Sequence, residues 1–518
     1  MKRTSILWTD DEIEILKPHI LFLQEKGYDV DTCSNGTDTI DLVNNKNYDI
    51  IFLDENMPGM SGIDTLKAIK EIKPDLPVVM ITRSEEENIM EAAIGSKIAD
   101  YLIKPVKPNQ ILLCLKRIIE SSRLVSEMTT SDYQAEFSRI RMMIDSASTS
   151  RDWEDIYRKL VFWELQIDRT DDTGLMEIYR MQEQEANGSF SKFISRNYRD
   201  WFNGPSSEIP LLSPSVISTT VLPLLKKGEK VFFILIDNLR LDQWKVIQAE
   251  TTNLLKVIEE SLYYSILPTA TQYSRNAIFA GKMPMEIEKS TPEYWVWDDE
   301  SEGKNSFEKE LLAKQLEKHY VKCRWSYEKI SNNATGKKVN DNLSSLLAND
   351  LTVLVYNFVD MISHARTDIG LIRDIANDEP AYRSLTRSWF MHSPLIELFR
   401  KLRGTGVKII LTTDHGTIRV NNPVKVIGDR HTSSNLRYKM GRNLDYDPKQ
   451  VFDISQPSQI HLPKSNMTSS YIFARGYDFL VYPNNYNHFV NYYRNTFQHG
   501  GISLQEMILP LVIMEPVS

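Results

Sequence analysis

No apolar stretch in the 518-residue chain approaches the ~18 consecutive positions of a membrane-spanning helix, and "VFFILI" at 231–236 is among the longest. Membrane insertion is not expected. Cysteine is scarce: Cys33, Cys114 and Cys323 stand apart, without a CxxC spacing. That excludes a disulfide-stapled secreted scaffold and fits a reducing compartment. The opening "MKRTSILWTDDE" sets acids directly after its apolar run, so a cytoplasmic protein without a signal peptide is expected. Positive charge is also in deficit. The net charge of −9, with no compact basic helix-turn-helix after the first α/β segment, argues against direct duplex DNA binding but not against a small nucleotide substrate. Internal repeats and low-complexity tracts are missing too.

What the chain does contain is an ordinary globular composition, 42% hydrophobic and 25% charged, at a length beyond one domain. Residues 1–122 alternate strand and helix signals: "TSILWTDD", "DIIFLDENMPGMSG", "DLPVVMITRS" and "DYLIKPV" are apolar runs, with helix-period segments such as "IDTLKAIKEI" between them. Continuous apolar strands separated by helices predict a doubly wound parallel sheet whose working groups lie at the carboxyl ends of the strands. Across 123–206 the strands give way to "SDYQAEFSRIRMMI", "DWEDIYRKLVFWELQI" and "SFSKFISRNYRDWF", apolar at helical spacing and stopped by "NGP" at 203–205. A central helical bundle is expected there. Residues 207–518 resume the alternation on a larger scale, and "KVFFILIDN", "LTVLVYNFVD" and "VKIILTTDHG" are buried-type strands that each end in aspartate. The fold class is therefore multidomain α/β: parallel sheet, helical bundle, then a large α/β domain.

In the first segment Asp10 and Asp11 end one strand, Asp54 a middle one, Thr82 the next and Lys104 the last. A parallel sheet brings all five to one edge. Strand ends attract Asp and Thr as turn residues, yet five such groups in this order, with "MPGMSG" after Asp54 and "KP" at Lys104, exceed what turns require. Three crowded carboxylates repel unless a hard cation neutralises them, and Mg²⁺ is the usual answer. Asp54 can then act as a nucleophile toward a phosphoryl group whose oxygens meet Lys104 and the Thr82 hydroxyl. These residues resemble a two-component response-regulator receiver domain over essentially all of 1–122. The resemblance implies that Asp54 takes phosphate from a sensor histidine kinase, and that Asp11, Asp54 and the Asn56 carbonyl hold Mg²⁺ beside Asp10. It also implies that Tyr101 is a rotating switch residue and that phosphorylation promotes a homodimer.

The last segment carries a second constellation. Asp237 ends "VFFILID", and "LPTATQYSRNAIFAG" places Thr269 and Thr271 in a loop before an apolar helix. Asp360 ends "LVYNFVD" with His364 four residues on, Asp414 and His415 end the third strand, and His499 precedes two glycines in "QHGGISLQE". Eight of the nine histidines lie at or after His319, which favours a metal site in this segment. Each piece has a plainer reading as a turn, a helix cap or a loop boundary. Together, three Asp, three His and a Thr on one sheet edge match what two zinc-type ions need.

This arrangement resembles the alkaline phosphatase superfamily and, within it, the PglZ domain family, over roughly 207–518; "TTDHG" and "HGGISLQE" are its most specific parts. The resemblance implies two Zn²⁺ ions per chain, one bound by Asp237, Thr271, Asp414 and His415 and the other by Asp360, His364 and His499. It makes Thr271, rather than Thr269, the nucleophile, with two ions ~4 Å apart clamping the phosphoryl group and a phospho-threonine that water then hydrolyses. Strong monoesterases of the superfamily place an arginine directly after the nucleophile, whereas here Gln272 follows Thr271 and the nearest arginine is Arg275. That departure points to a diester, of nucleotide type. Arg240, Arg430, His431, Arg437 and Lys439 are further basic groups available to line a pocket or to sit on the surface.

The order of the three segments resembles a family of response regulators associated with type IX protein secretion. A phosphorylation-controlled zinc phosphodiesterase is the expected function, with an alternative sigma factor as a further candidate partner. The competing expectation is a metal-binding interaction platform that contacts a sensor kinase and a sigma factor without physiologically important catalysis.

Overall fold

Buried apolar runs separated by amphipathic helices build a five-stranded parallel sheet at the front of the chain. Its strands are β1 (Ser5–Thr9), β2 (Asp29–Cys33), β3 (Ile50–Asp54), β4 (Val78–Thr82) and β5 (Asp100–Ile103), in the order β2-β1-β3-β4-β5. The structure, a computed structural model, describes residues 4–74, 76–83, 98–115, 118, 121–170, 172–204, 209–297, 303, 305–361, 378–429 and 432–517. It separates into two compact units, residues 1–132 and 133–518.

In the first unit β1, β3 and β4 are buried along their whole length, as their apolar runs require. Alternate residues of β1 serve opposite faces: Leu7 joins Leu53 and Leu66, while Ile6 and Trp8 join Phe52 and Ile111. β2 has no such run. Val30 and Cys33 are buried but Asp29 and Thr32 are exposed, the pattern of an edge strand, so the sequence reading of four strands becomes five. The strand order reverses between β1 and β3, which opens a crevice at their carboxyl ends. The helix Gly62–Ile72 starts there, capped by Ser61, whose hydroxyl accepts from the Asp64 amide at 3.1 Å. Gly62 donates its amide to the Glu55 carbonyl at 2.8 Å, and a Cβ at this position would collide with the Asp54 carbonyl oxygen. The "MPGMSG" loop thus folds tightly back over Asp54.

The second unit is built on a six-stranded sheet. Its members are β6 (Val231–Ile236), β7 (Leu255–Tyr264), β8 (Trp325–Ile330), β9 (Leu351–Tyr356), β10 (Lys408–Thr412) and the C-terminal strand Ile508–Pro516. The order is β7, C-terminal strand, β10, β6, β9, β8. β10, β6, β9 and β8 run parallel, and the C-terminal strand pairs antiparallel with both β10 and β7. The three central parallel strands are the ones visible as apolar runs. β7 escapes that signal because Lys256 and Glu259 are exposed along it.

The helices Ser150–Ile167 and Thr173–Asn197 belong to this unit's core. Thr149 and Asp152 form a capping box at the start of the first. Trp153 meets Phe190 at 5.4 Å, Trp201 meets Tyr264 of β7 at 5.3 Å, and the Tyr264 hydroxyl donates to the Ser150 carbonyl at 2.7 Å. One continuous hydrophobic cluster therefore runs from Tyr133 through the helices to the sheet. A buried charge cluster adds to this joint. Arg383, in the helix Glu379–His392, donates to Glu164 at 2.5 Å and Asp242 at 3.0 Å and pairs with Asp168. Among the described residues no helix is long and apolar enough to cross a membrane. Replacing Arg383 by Met strands Glu164 and Asp168 without their cation, and the expected loss of unfolding free energy is about 3 kcal/mol in urea titration. An unshifted midpoint would remove Arg383 from the joint.

Candidate functional sites

In the first unit, burial and pairing gather Asp10, Asp54 and Lys104. Asp10 follows β1, Asp54 ends β3, and the Lys104 ammonium lies 2.9 Å from Asp10 Oδ2 and 2.7 Å from Asp54 Oδ1. Burial pushes the Asp54 carboxyl up, Lys104 opposes it and Asp10 adds to it. Asp10, exposed Asp11 and Asp54 present oxygens within 4.8 Å of one another, a spacing that fits one divalent cation. Three carboxylates against one ammonium leave negative charge for it to neutralise. The Thr82 hydroxyl, at the end of β4, donates to Glu55 Oε2 at 2.6 Å. Asn56 lies exposed in the loop after β3, and Tyr101 is 40% exposed on β5.

In the second unit the strand ends bring their polar residues together. Asp237 follows β6 and Asp414 and His415 follow β10, while Thr271 opens the helix Thr271–Ala280. His415 Nε2 lies 3.0 Å from Thr271 Oγ1, 3.7 Å from Asp237 Oδ1 and 3.7 Å from Asp414 Oδ2. Asp237, Asp414 and His415 each offer a donor atom within 4.8 Å of the others. Burial pushes Asp237 well above the usual carboxylate range against the pull of Arg275, and Asp414 and Asp360 push it further. Its Oδ1 is buried with no hydrogen-bond partner among the described residues, which suits it to ligate a cation.

A second group sits beside the first. His499 Nε2 is 3.9 Å from Asp360 Oδ1, and the His499 and His415 rings stack at 4.2 Å. Both imidazoles turn Nδ1 toward a backbone carbonyl, His415 to Gly416 at 3.2 Å and His499 to Thr269 at 3.2 Å. A carbonyl only accepts, so Nδ1 carries the proton and Nε2 presents its lone pair, the orientation of a metal ligand. Asn238, with a positive φ of 62°, spans the two groups: its amide faces Asp414 Oδ1 at 3.3 Å and its side chain faces Asp360 Oδ1 at 3.3 Å. His364 lies outside the described residues, as do Arg430 and His431.

The two threonines differ in their surroundings. The Thr269 hydroxyl donates to the Gly501 carbonyl at 2.9 Å and accepts from the Gly500 amide at 3.0 Å, so both of its roles are taken by backbone. The Thr271 hydroxyl faces His415.

Of the basic residues read as pocket or surface groups, Arg240, Arg437 and Lys439 are buried. Arg240 pairs with Asp242 at 2.5 Å and Glu379 at 2.6 Å, and Arg437 pairs with Glu506 at 2.6 Å. Lys439 donates to the Ser433 carbonyl at 3.1 Å beneath the Tyr482 ring, and burial lowers its pKa to about 7. Along its strand, Tyr438 and Met440 enter the main core while Lys439 points to the other face. Glu506 escaped the motif reading. Its side chain holds Gly501, the second glycine after His499, accepting from the Gly501 amide at 2.9 Å and from Ser503 at 2.6 Å. The "SLQE" spacing of a capping box was the available signal. Arg275, the nearest arginine after Thr271 in the sequence, is wholly buried against Asp237 and Asp414.

Comparison with known proteins matches three parts of the chain. The BREX system PglZ alkaline phosphatase-like domain matches residues 216–514, the PorX response regulator linker domain residues 123–202, and the response regulator receiver domain residues 6–116. The chain is 32% identical over 123 residues to the transcriptional regulatory protein ResD of Bacillus subtilis, covering 24% of this chain and 51% of that protein. It is 31% identical over 139 residues to the transcriptional regulatory protein ZraR of Klebsiella oxytoca, covering 27% and 31% respectively. It thus spans about half or less of the length of these curated relatives. Among solved structures, a two-component response regulator from Clostridium difficile is 29% identical, with 23% of this chain and 97% of that one covered at a TM-score of 0.22. The chemotaxis protein CheY4 of Vibrio cholerae is 27% identical, with 23% and 99% covered at a TM-score of 0.22.

Gly416 tests how tightly the Asp414–His415 turn is held. Its amide reaches the Glu506 carbonyl at 3.3 Å, and a Cβ here would overlap the Gln505 carbonyl oxygen. Gly416→Ala is expected to lower stability by about 1–3 kcal/mol in urea unfolding; a variant as stable as the parent would show that the turn can yield.

Proposed function

Since this chain belongs to the PglZ alkaline phosphatase-like domain family and carries its receiver and linker in the order of a PorX-like response regulator, we propose that phosphorylation of Asp54 controls a zinc-dependent phosphodiesterase centred on Thr271. The observation that carries this reading is the 3.0 Å approach of Thr271 Oγ1 to His415 Nε2, while the Thr269 hydroxyl is committed to backbone. Zinc-type ions held by Asp237, Thr271, Asp414 and His415, and by Asp360 and His499 with His364, would supply positive charge and ease deprotonation of the hydroxyl.

The chain's own residues then do the following. Thr271 Oγ, at the N-terminus of a ten-residue helix whose dipole favours negative charge, attacks phosphorus as its proton leaves. The bond from phosphorus to the departing ester oxygen breaks, and that oxygen leaves as an alcohol after taking a proton. Water next attacks the phosphorus of phospho-Thr271, releasing a phosphomonoester and restoring the hydroxyl. His415 and His499, oriented through Nδ1, keep their Nε2 atoms on the reacting side.

A diester is the preferred substrate class. Gln272 directs its amide nitrogen to the Val296 carbonyl, and Arg275 is occupied by Asp237 and Asp414. Neither supplies the cation that a second phosphate charge would need. We assign a nucleotide-type diester as substrate, a sensor histidine kinase as phosphate donor and a sigma factor as output partner, in cytoplasmic control of type IX secretion. Asp10, Asp11, Asp54 and Asn56 would hold Mg²⁺, which would supply positive charge for phosphorylation of Asp54.

Purified protein should therefore contain zinc and cleave a chromogenic phosphodiester faster than the matching monoester. Thr271→Ala is expected to abolish cleavage, and Thr269→Val to retain it at a reduced rate. Full activity in Thr271→Ala would overturn the assignment, and bound zinc without turnover would favour the interaction platform. A phosphoryl mimic with Mg²⁺ should also raise the sedimenting mass to a dimer. Tyr101, Ile103 and Leu113, exposed on β5 and the helix Pro108–Leu115, offer the apolar surface for it. An unchanged mass at micromolar protein would count against receiver-driven dimerisation.

A further inference from the structure

The residue directly after Asp54 engages the hydroxyl that a phosphoryl group on Asp54 would need. Glu55 is 8% exposed whereas its neighbour Asn56 is exposed, so the glutamate side chain turns inward. There its Oε2 accepts the proton of the Thr82 hydroxyl at 2.6 Å, a buried hydrogen bond between the ends of β3 and β4. Both backbones are pinned. The Glu55 amide donates to the Ile81 carbonyl at 3.0 Å, and the Gly62 amide donates to the Glu55 carbonyl at 2.8 Å. On the far side the Lys104 amide donates to the Thr82 carbonyl at 2.8 Å, while the Lys104 ammonium meets Asp54 Oδ1 at 2.7 Å. Glu55 and Thr82 therefore meet from fixed positions on the sheet edge that carries Asp54.

A threonine hydroxyl has one proton and gives it to one acceptor at a time. A phosphoryl oxygen on Asp54 can receive that proton only when Glu55 gives it up. The bond that must break joins a hydroxyl to a carboxylate in a buried setting, and such bonds are among the stronger ones. Its loss also deprives Glu55 Oε2 of this donor just as the phosphoryl group brings further negative charge to the same edge. On both counts Glu55 favours the unphosphorylated arrangement.

We propose that Glu55 is a positioning residue that latches the Thr82 hydroxyl away from the phosphoryl site and so sets how much phosphoryl signal the receiver needs before it switches. This rests on the reading of Asp54 as phosphoryl acceptor, with Thr82 and Lys104 meeting the phosphoryl oxygens. The action of Glu55 passes through the Thr82 hydroxyl rather than through a contact with the phosphoryl group.

The test is calorimetric titration of the full-length protein with beryllofluoride in the presence of Mg²⁺. The affinity for this phosphoryl mimic is read directly and depends on neither dimer formation nor phosphodiester cleavage. The parent should bind it and Asp54→Asn should not. Glu55→Met removes the acceptor at similar side-chain length and is expected to tighten binding by about 10–100-fold, the worth of one hydrogen bond to a charged group. Glu55→Gln, which keeps a weaker acceptor, should tighten it by less. In a Thr82→Val background Glu55→Met should have little effect, because the proton in dispute is gone. Equal tightening with and without the Thr82 hydroxyl would overturn the latch by reducing Glu55 to a bystander charge. So would Glu55→Met and Glu55→Gln proteins that bind no tighter than the parent. A parent that binds no beryllofluoride would sink the reading of Asp54 as phosphoryl acceptor, and the latch with it.

Discussion

Carboxylates gathered at the ends of buried parallel strands repel one another, and both candidate sites of this chain are organised around neutralising them. In the receiver the Lys104 ammonium lies between Asp10 and Asp54, and exposed Asp11 leaves a net negative pocket that suits a divalent cation. In the second unit Arg275 takes one oxygen each from Asp237 and Asp414, while the unpartnered Asp237 oxygen faces His415. Each site is thus partly compensated by a fixed side-chain cation and left short by an amount that suits a metal ion.

Everything around these charges acts to keep them in place. The turns that present them are too close to their neighbours for any side chain: Gly62 lies against Asp54, and Gly416 against Gln505. Glu506 holds Gly501, two residues after His499, and Asn238 spans the carboxylates of the two groups. The helices from 150 to 197 reach the same framework through aromatic packing and through Arg383, whose carboxylate partners include Asp242; Asp242 in turn holds Arg240 against the Thr417 carbonyl, two residues after His415. This connects the linker helices to the turn carrying His415 by direct contacts within one unit.

Much of this was legible along the chain because strands buried on both faces read as uninterrupted apolar runs. "IIFLD", "VFFILID" and "KIILTTDH" announce both the strand and the acid that ends it. Edge strands do not announce themselves. β2 and β7 carry exposed polar residues among their buried ones, so they lack the continuous run that made their neighbours visible. The basic residues were misleading for a related reason: Arg240, Arg437 and Lys439 carry charges that composition assigns to a surface or a pocket, and only their carboxylate, carbonyl and ring partners make their burial tolerable.

The sequence by itself determined the α/β class, the order of the segments, and the residues Asp54, Asp237, Asp414 and His415 at or just after strand ends, because each depends on local periodicity and on the residue that ends a run. Asp360 departs from that reading, since its strand ends at Tyr356 and Asp360 sits in the helical stretch that follows. Tertiary structure decided which of two nearby threonines faces a histidine, which ring nitrogen His415 and His499 present, and that Arg275 pairs with Asp237 and Asp414. Those outcomes depend on contacts between residues far apart in the chain. Thr269 and Thr271 are chemically identical and two positions apart. They were told apart by Gly500 and Gly501, more than two hundred residues away, whose backbone engages one hydroxyl and leaves the other facing His415.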